Sequence, residues 1–418
     1  MHRHAKQRDS LLFDFQPERL ARRLVLFVSP LIVATAVGCG EDTESPTSVT
    51  APSETSPELA TASTQALAFY QVSGGNDYTC GVTTDNRAFC WGYGLLGDGS
   101  TYSQRLNPVA VSGGLRFRQV SVGSKHSCGI TTDNRAYCWG DNSAGQLGDG
   151  TRSERWSPIP VAGGRQFAQV DAGSFHTCGL GYTDKRAYCW GNNNNGQLGN
   201  GTVTSRLTPV AVAGGRQFRH VSAGWDHSCA VTPSDVAYCW GSNKDGQAGD
   251  GSTFRQRLRP VLVAGGYRFR QVDAGASHTC AVTTAYRAFC WGNGADGRIG
   301  DGTTSRRLVP RAVAGGLSFD RVSTGFAHSC GESRQNRAYC WGINTYGAVG
   351  DGTKLNTRLR PVAVAGGLYF TQLSAGSLHT CAKTETSAAY CWGYNRNGQL
   401  GDGSQTDRTR PVPVAGPM

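Results

Sequence analysis

Val221-Ser222-Ala223-Gly224-Trp225-Asp226-His227-Ser228-Cys229-Ala230-Val231-Thr232, followed after a short break by Val236-Ala237-Tyr238-Cys239-Trp240-Gly241, is one of seven near-copies of a single motif in this chain. The Cys-Trp-Gly core recurs at Cys90, Cys138, Cys189, Cys239, Cys290, Cys340 and Cys391, and the first cysteine of each copy steps by 48, 50, 51, 51, 50 and 51 residues. A period near 50 marks a repeat architecture, in which each unit buries its apolar face against its neighbours. Within the copy that runs from Phe218 to Gly265, clusters of Gly, Asn and Asp separate four short runs, 218–223, 227–232, 236–240 and 260–264, which read as strands. Four short strands with one aromatic-glycine step per unit is the pattern of a propeller blade. Residues 66–418 are therefore expected to form an all-β, seven-bladed β-propeller of four-stranded blades. Closing the ring should bring residues 66–75 against 408–416. With 57 glycines and no long helical periodicity after residue 40, the composition agrees.

The Gly-x-x-His-(Ser/Thr) step, the aromatic-x-Trp-Gly step and the Gly-Gln-Leu-Gly-Asp-Gly segment followed by Pro-Val run over residues 69 to 415. In these features the chain resembles the repeats of the regulator of chromosome condensation family. The resemblance implies a seven-bladed ring. It does not imply one activity, because such propellers serve as exchange factors, ligase-associated modules, light sensors and secreted inhibitors.

The first 65 residues read differently. Arg19, Arg22 and Arg23 precede an apolar stretch from Leu24 to Val37, too short for a comfortable membrane span, and Ala36-Val37-Gly38-Cys39 follows. This is similar to a bacterial lipobox, with Ala36 where leucine is usual. Residues 1–38 are expected to be a lipoprotein-type signal peptide, with Cys39 the lipidation site. The alternatives are an ordinary cleaved signal with an incidental Cys39, and a membrane anchor. Residues 39–65, rich in Ser, Thr, Pro and acid, read as a disordered tether. The expected location is outside the cytoplasm, with the lipid on Cys39 anchoring the chain to a bacterial membrane. The formal charge is +11, but no run of five like charges occurs in the repeats, so no nucleic-acid partner is expected.

Of fifteen cysteines, fourteen fall two per repeat. In a hairpin centred on the intervening turn the two face each other, and export makes a disulfide their natural state. The expected pairs are Cys80–Cys90, Cys128–Cys138, Cys178–Cys189, Cys229–Cys239, Cys280–Cys290, Cys330–Cys340 and Cys381–Cys391, the third with a bulge or longer turn near Gly181. The alternative is zinc held by His126, Cys128 and Cys138 and their equivalents, but seven identical sites, with Tyr78 in place of histidine in the first copy, speak against it. The histidines at 126, 176, 227, 278, 328 and 379 are expected to donate to backbone between blades. No metal or cofactor is expected.

Arg105, Arg155, Arg206, Arg257, Arg307, Arg358 and Arg408 stand three residues before a proline, and each follows Asp98, Asp149, Asn200, Asp250, Asp301, Asp351 or Asp402 by six or seven residues. An Arg–Asp clasp on the long loop of each blade is expected, with Arg206 unpaired; a cationic ring for an anionic ligand is the alternative. The Gly-x-Gly segments lack the Lys-(Ser/Thr) and the helix of a phosphate loop. No nucleophile–base–orienter set stands out, so no enzymatic activity is expected.

The positions that break the repeat point to function. The two residues before each histidine vary, and the fold gathers them on one rim. Asp77, Lys125, Phe175, Trp225, Asp226, Phe326 and Leu378 combine apolar and charged side chains there, the mixture of a protein-binding hot spot. A second variable set follows Trp-Gly: Tyr93, Asn192 to Asn195, Asn243 to Asp245, Asn344 to Tyr346, and Tyr394 to Arg396. The leading expectation is a monomeric, non-catalytic scaffold that binds an unidentified protein of the cell envelope. A glycan is the alternative partner, and guanine-nucleotide exchange by family analogy is a third reading, against which export argues.

Overall fold

The computed structural model describes residues 66–354 and 357–417; the expected signal, Cys39 and the tether lie outside the described residues. Twenty-eight strands form seven four-stranded antiparallel sheets, each from four consecutive strands. The protein is a seven-bladed β-propeller. In the first blade the strands are β1 (Phe69–Gly74), β2 (Tyr78–Thr83), β3 (Ala88–Gly94) and β4 (Ser103–Ala110). The strands equivalent to β1 meet one another around the axis, so each blade runs from the axis outward in chain order. This order places the first-to-second and third-to-fourth loops on one face, and the second-to-third turns on the other.

The blade spanning 218–265 contains strands His220–Ala223, His227–Val231, Ala237–Ser242 and Gln256–Leu262. Its outer strand begins earlier than the apolar run suggests, because Arg257 pairs with Gly241 across a register shift. All seven expected disulfides are present, joining residues directly opposed in register with Cα atoms 4.0–4.1 Å apart. The extra residue of the third pair enlarges the turn, closed by the Gly181 N–H on the Arg186 carbonyl.

Between blades the packing is one contact repeated. Each Cys-Trp-Gly tryptophan is fully buried at the blade interface, and in all seven blades its ring is backed by the phenylalanine at the start of its own blade, as with Phe167 and Trp190 at 5.8 Å. In six blades the indole N–H donates to a carbonyl of the preceding blade, as Trp190 does to Gln146 at 2.9 Å. Gly148, at φ +72°, presses on the Trp190 ring, and a Cβ there would come within 2.6 Å of Nε1. No side chain other than glycine's fits that place and that backbone.

Ring closure uses no crossing strand, since blades 1 and 7 are each complete in themselves. Side chains seal the seam instead. Ser374 Oγ accepts from the Gly74 N–H at 2.9 Å, and the Trp91 indole donates to the Gln399 carbonyl at 3.0 Å. Leu67 and Phe69 share an apolar cluster with Val412 and Val414, the approach of 66–75 to the last strand that the sequence suggests. Most of the polar contacts, however, run to residues 372–399.

Candidate functional site

The Gly-x-x-His step builds one mouth of the axial channel. Gly123 meets the next blade so closely that a Cβ would lie 2.1 Å from the Gly173 carbonyl. The following N–H donates to that neighbouring carbonyl, as Ser124 does to Gly173 and Trp225 to Gly275. The first variable residue of each loop (Asn76, Ser124, Trp225, Ala276, Phe326, Ser377 among them) therefore surrounds a shallow cavity of about 90 Å³ at the axis. The second variable residue hands its carbonyl to the residue after Trp-Gly, as in Tyr93 N–H to Asp77 and Asn192 N–H to Phe175. Both variable sets thus share one face.

The histidine comes next and is fully buried between blades. The sequence suggested a backbone partner, but the partner is a hydroxyl of the next blade: His126 Nε2 with Thr177 Oγ1 at 2.8 Å, His176 with Ser228 at 2.8 Å, and so on to His379 with Thr79 at 2.8 Å. Tyr78 completes the ring through its own hydroxyl, 2.9 Å from Ser127 Oγ. Thr177 in turn donates to the Gln146 carbonyl, so it must accept from the imidazole. That assigns the proton to Nε2 and leaves Nδ1 without a partner, as it is in all six histidines. The backbone carbonyls are already taken by the tryptophan and hydroxyl donors, which is why the imidazole turns to a side chain. The cysteines are in disulfides, and no three His, Cys, Asp or Glu side chains converge as metal ligands among the described residues.

The seven rim residues fall into unlike surroundings. Trp225 and Phe326, 40% and 36% exposed, face each other with ring centroids 4.7 Å apart, spanning the blade in which Ala276 holds the same position. Phe175 and Lys125 are exposed on the same face, and Leu378 is half-buried. Asp77 is tied down by Asn76 Nδ2 at 2.6 Å and by Asn397 Nδ2 of the last blade at 2.9 Å. Burial raises the Asp226 carboxyl above its ordinary range, against the pull of Lys244 and Asn195. Further out on the same face, Tyr346 packs on Tyr394 and Tyr93 on Tyr102.

The long loops are held as the arginine spacing suggests. Six Arg–Asp pairs form, including Arg155–Asp149 and Arg408–Asp402 at 2.8 Å; the blade with Asn200 has no such pair, and Arg206 is exposed. Burial works against ionisation of Asp149, but bonds from Thr151, Arg155 and Asn142 outweigh it and hold the carboxyl low. The asparagine after Trp-Gly belongs to this clasp. Asn142 and Asn193 are fully buried, each donating to the clasp and accepting the N–H of Leu147 or Leu198. These asparagines hold the loop and offer nothing to a sugar.

Two features of the channel wall escaped the motif reading. At the place of Ser73 and its equivalents stand Asp171 and Asp273, each accepting an N–H from the next blade. Burial pushes Asp171 up to about 6; burial and the charge of Asp171 push Asp273 up to about 7. Arg321, Glu332 and Lys383 likewise replace uncharged residues of the other copies. Aligning the copies position by position, instead of motif by motif, exposes both sets.

Residues 162–418, more than half of the chain, match the RCC1-like domain, and regulator of chromosome condensation (RCC1) repeats match over 69–97, 117–146, 85–130 and 133–180. The ultraviolet-B receptor UVR8 of Arabidopsis thaliana is 33% identical over 229 residues, 54% of this chain and 41% of that protein. The chain thus spans less than half the length of this curated relative. Among solved structures, human WBSCR16 superposes with a TM-score of 0.70 at 22% identity, covering 79% of this chain and 94% of that one. Prp20p from Saccharomyces cerevisiae, described with its binding properties to Gsp1p and histones, gives 0.70 at 21%, covering 84% and 88%. At these identities the structural likeness speaks for the fold.

Proposed function

The chain belongs to the family of RCC1-like domains, and from that premise we propose that it is a non-catalytic platform that captures a protein partner through the face carrying the Gly-x-x-His loops. The paired rings of Trp225 and Phe326 carry this reading. Serine or alanine suffices at the same position in other blades, so neither ring is needed to build the blade. Two partly exposed aromatic rings, on a face that also exposes Phe175 and Lys125, make an apolar anchor with charge on the same rim. The cavity between the loops, about 90 Å³, is far below the few hundred Å³ that a small ligand needs. A protein surface laid across the rim meets no such limit. Guanine-nucleotide exchange would require a cytosolic GTPase, which an exported chain does not meet.

The test uses serine, already tolerated at this position in blades 2, 3 and 7. A photo-crosslinking residue at position 175 identifies the partner in intact cells. The purified partner is then expected to bind the Trp225→Ser, Phe326→Ser double variant at least about tenfold more weakly. Unchanged affinity in a folded double variant would remove the rim from the reading.

The same reading places the propeller outside the cytoplasm, tethered through a lipid on Cys39. Seven disulfides suit an oxidising compartment, and among the described residues no helix is long and apolar enough to cross a membrane. Intact mass of protein from its own membrane fraction should give a lipid adduct on Cys39, with fourteen cysteines alkylated only after denaturation and reduction. Fifteen free thiols on an unprocessed chain would overturn the placement.

A further inference from the structure

At the axial mouth opposite the loops, the inner strands are tied together by glutamines. Gln71 donates to the Val120 carbonyl and accepts the Val120 N–H, both at 2.9 Å; Gln372 does the same to Val72 across the closure. Each amide imitates a short piece of backbone strand. In blade 6 the equivalent residue is Arg321, which has no acceptor to offer and makes neither bond to Leu373 of blade 7. Leu373 is partly exposed, whereas Val72, Val120, Val170, Val221 and Val272 are fully buried.

A second break lies beside the first. The strand position opposite these glutamines, or opposite His220 that replaces one in blade 4, is apolar in five blades, being Val82, Ile130, Leu180, Val231 and Val282. In blade 6 it is Glu332, in register with Arg321, and in blade 7 it is Lys383, in register with Gln372. Glu332 is only 5% exposed and its Oε2 has no hydrogen-bond partner. Burial pushes its carboxyl up to about 7, against the pull of Arg321, so it does not fully neutralise the nearby cations. Arg321 and Lys383 have no ion-pair partner among the described residues, unlike Arg270, which pairs with Asp320.

Where these breaks meet lies a cavity of about 420 Å³, walled by Arg321, Lys383, Thr371, Tyr70 and Arg118 together with the glutamines. The Arg118 guanidinium is already bonded to Asn134 and to the carbonyls of Phe167 and Ala168. Arg321 and Lys383 are the cations left to recognise something.

We propose that this cavity binds a small oxyanion-bearing molecule of sugar size, whose carboxylate or phosphate is held by Arg321 and Lys383 while the hydroxyls of Tyr70 and Thr371 meet its body. The volume lies in the range of small-molecule sites, and an arginine with a lysine is the usual clamp for such oxyanions. The site is separate from the loop face, and neither reading depends on the other.

The variants that test it restore the pattern of the other blades and so favour folding: Arg321→Gln and Lys383→Val. Calorimetric titration of the full protein at about 150 mM salt, which screens unspecific attraction, uses glucose 6-phosphate and glucuronate as probes, with glucose as the neutral control. At least one anionic sugar is expected to bind while glucose does not, and each variant should weaken binding at least tenfold. Which probe binds tells phosphate from carboxylate. Silence from both anions, equal binding by inorganic phosphate alone, or undiminished binding in the folded double variant would each overturn the proposal. Trp225→Ser should leave this binding unchanged.

Discussion

With its disulfides intact, the propeller is expected to unfold cooperatively as the pH falls from about 5 to 3. The cause is the ring of buried imidazoles. Burial lowers His126 and His328 to about 4, lowers His176, His227 and His379 to about 3, and holds His278 well below its ordinary value. In the unfolded chain each would titrate near 6.5. A depressed folded value means that the unfolded state takes up protons first. The stabilisation is complete above the unfolded value and is lost as the pH falls toward the folded one. At pH 5 that amounts to about 2 kcal/mol for each histidine. Six of them together rival the whole stability of an ordinary domain.

The network explains why protonation cannot be absorbed in place. Nε2–H already donates to a hydroxyl, and a proton on Nδ1 would have no acceptor. Asp171, Asp273 and Glu332 act in the opposite sense. Their raised values mean that their stabilisation is present below the ordinary carboxylate range and is lost as the pH rises through about 6 to 7. On acidification they and the raised Asp226 restore part of the loss, but they are four against seven, since burial lowers His220 to about 4 as well. Tryptophan fluorescence and circular dichroism against pH provide the measurement. Native signals persisting to pH 3 would show that the imidazole ring does not govern acid stability.

Trp190→Ala is expected to cost about 3–5 kcal/mol, the range for removing a large buried aromatic ring. The loss includes its contact with Phe167, its bed on Gly148 and its hydrogen bond to Gln146. Trp139→Ala offers an internal comparison. The loop of the first blade is three residues shorter between Trp91 and Asp98 than its counterpart between Trp139 and Asp149. With this shorter loop the Trp139 indole finds no acceptor, and its Nε1 is the one buried tryptophan nitrogen left unpartnered among the described residues. Trp139→Ala should therefore cost less than Trp190→Ala by about 0.5–1.5 kcal/mol, the net worth of one hydrogen bond. Chemical denaturation of the two variants measures the difference; equal costs would mean that the interblade hydrogen bond adds nothing to the packing.

Local chemistry made much of this legible. The period, the four strands and the seven blades follow from spacing and turn residues, and the disulfide pairs follow from a hairpin turn of known length. The Arg–Asp clasp also lies within one blade, so a separation of six or seven residues was enough to find it. The histidine partner was not so accessible. His126 and Thr177 stand 51 residues apart, and nothing within one repeat says whether an imidazole between blades meets a carbonyl or a hydroxyl. The asparagines after Trp-Gly looked available in sequence, yet folding buries Asn193 and Asn344 in the loops they hold.

Repetition settles whatever each blade does alone, because strand pairing and turn geometry are short-range and recur in every copy. What happens between blades depends on which copies become neighbours and on which end of the ring a residue reaches. Trp225 and Phe326 lie in non-adjacent blades and become a pair through the curvature of the ring. Arg321 and Lys383 are scattered substitutions along the chain, and they become the wall of one cavity because blades 6 and 7 meet blades 1 and 2 around a common axis. The blade is written in each fifty-residue copy, whereas both candidate binding places exist once the ring has closed.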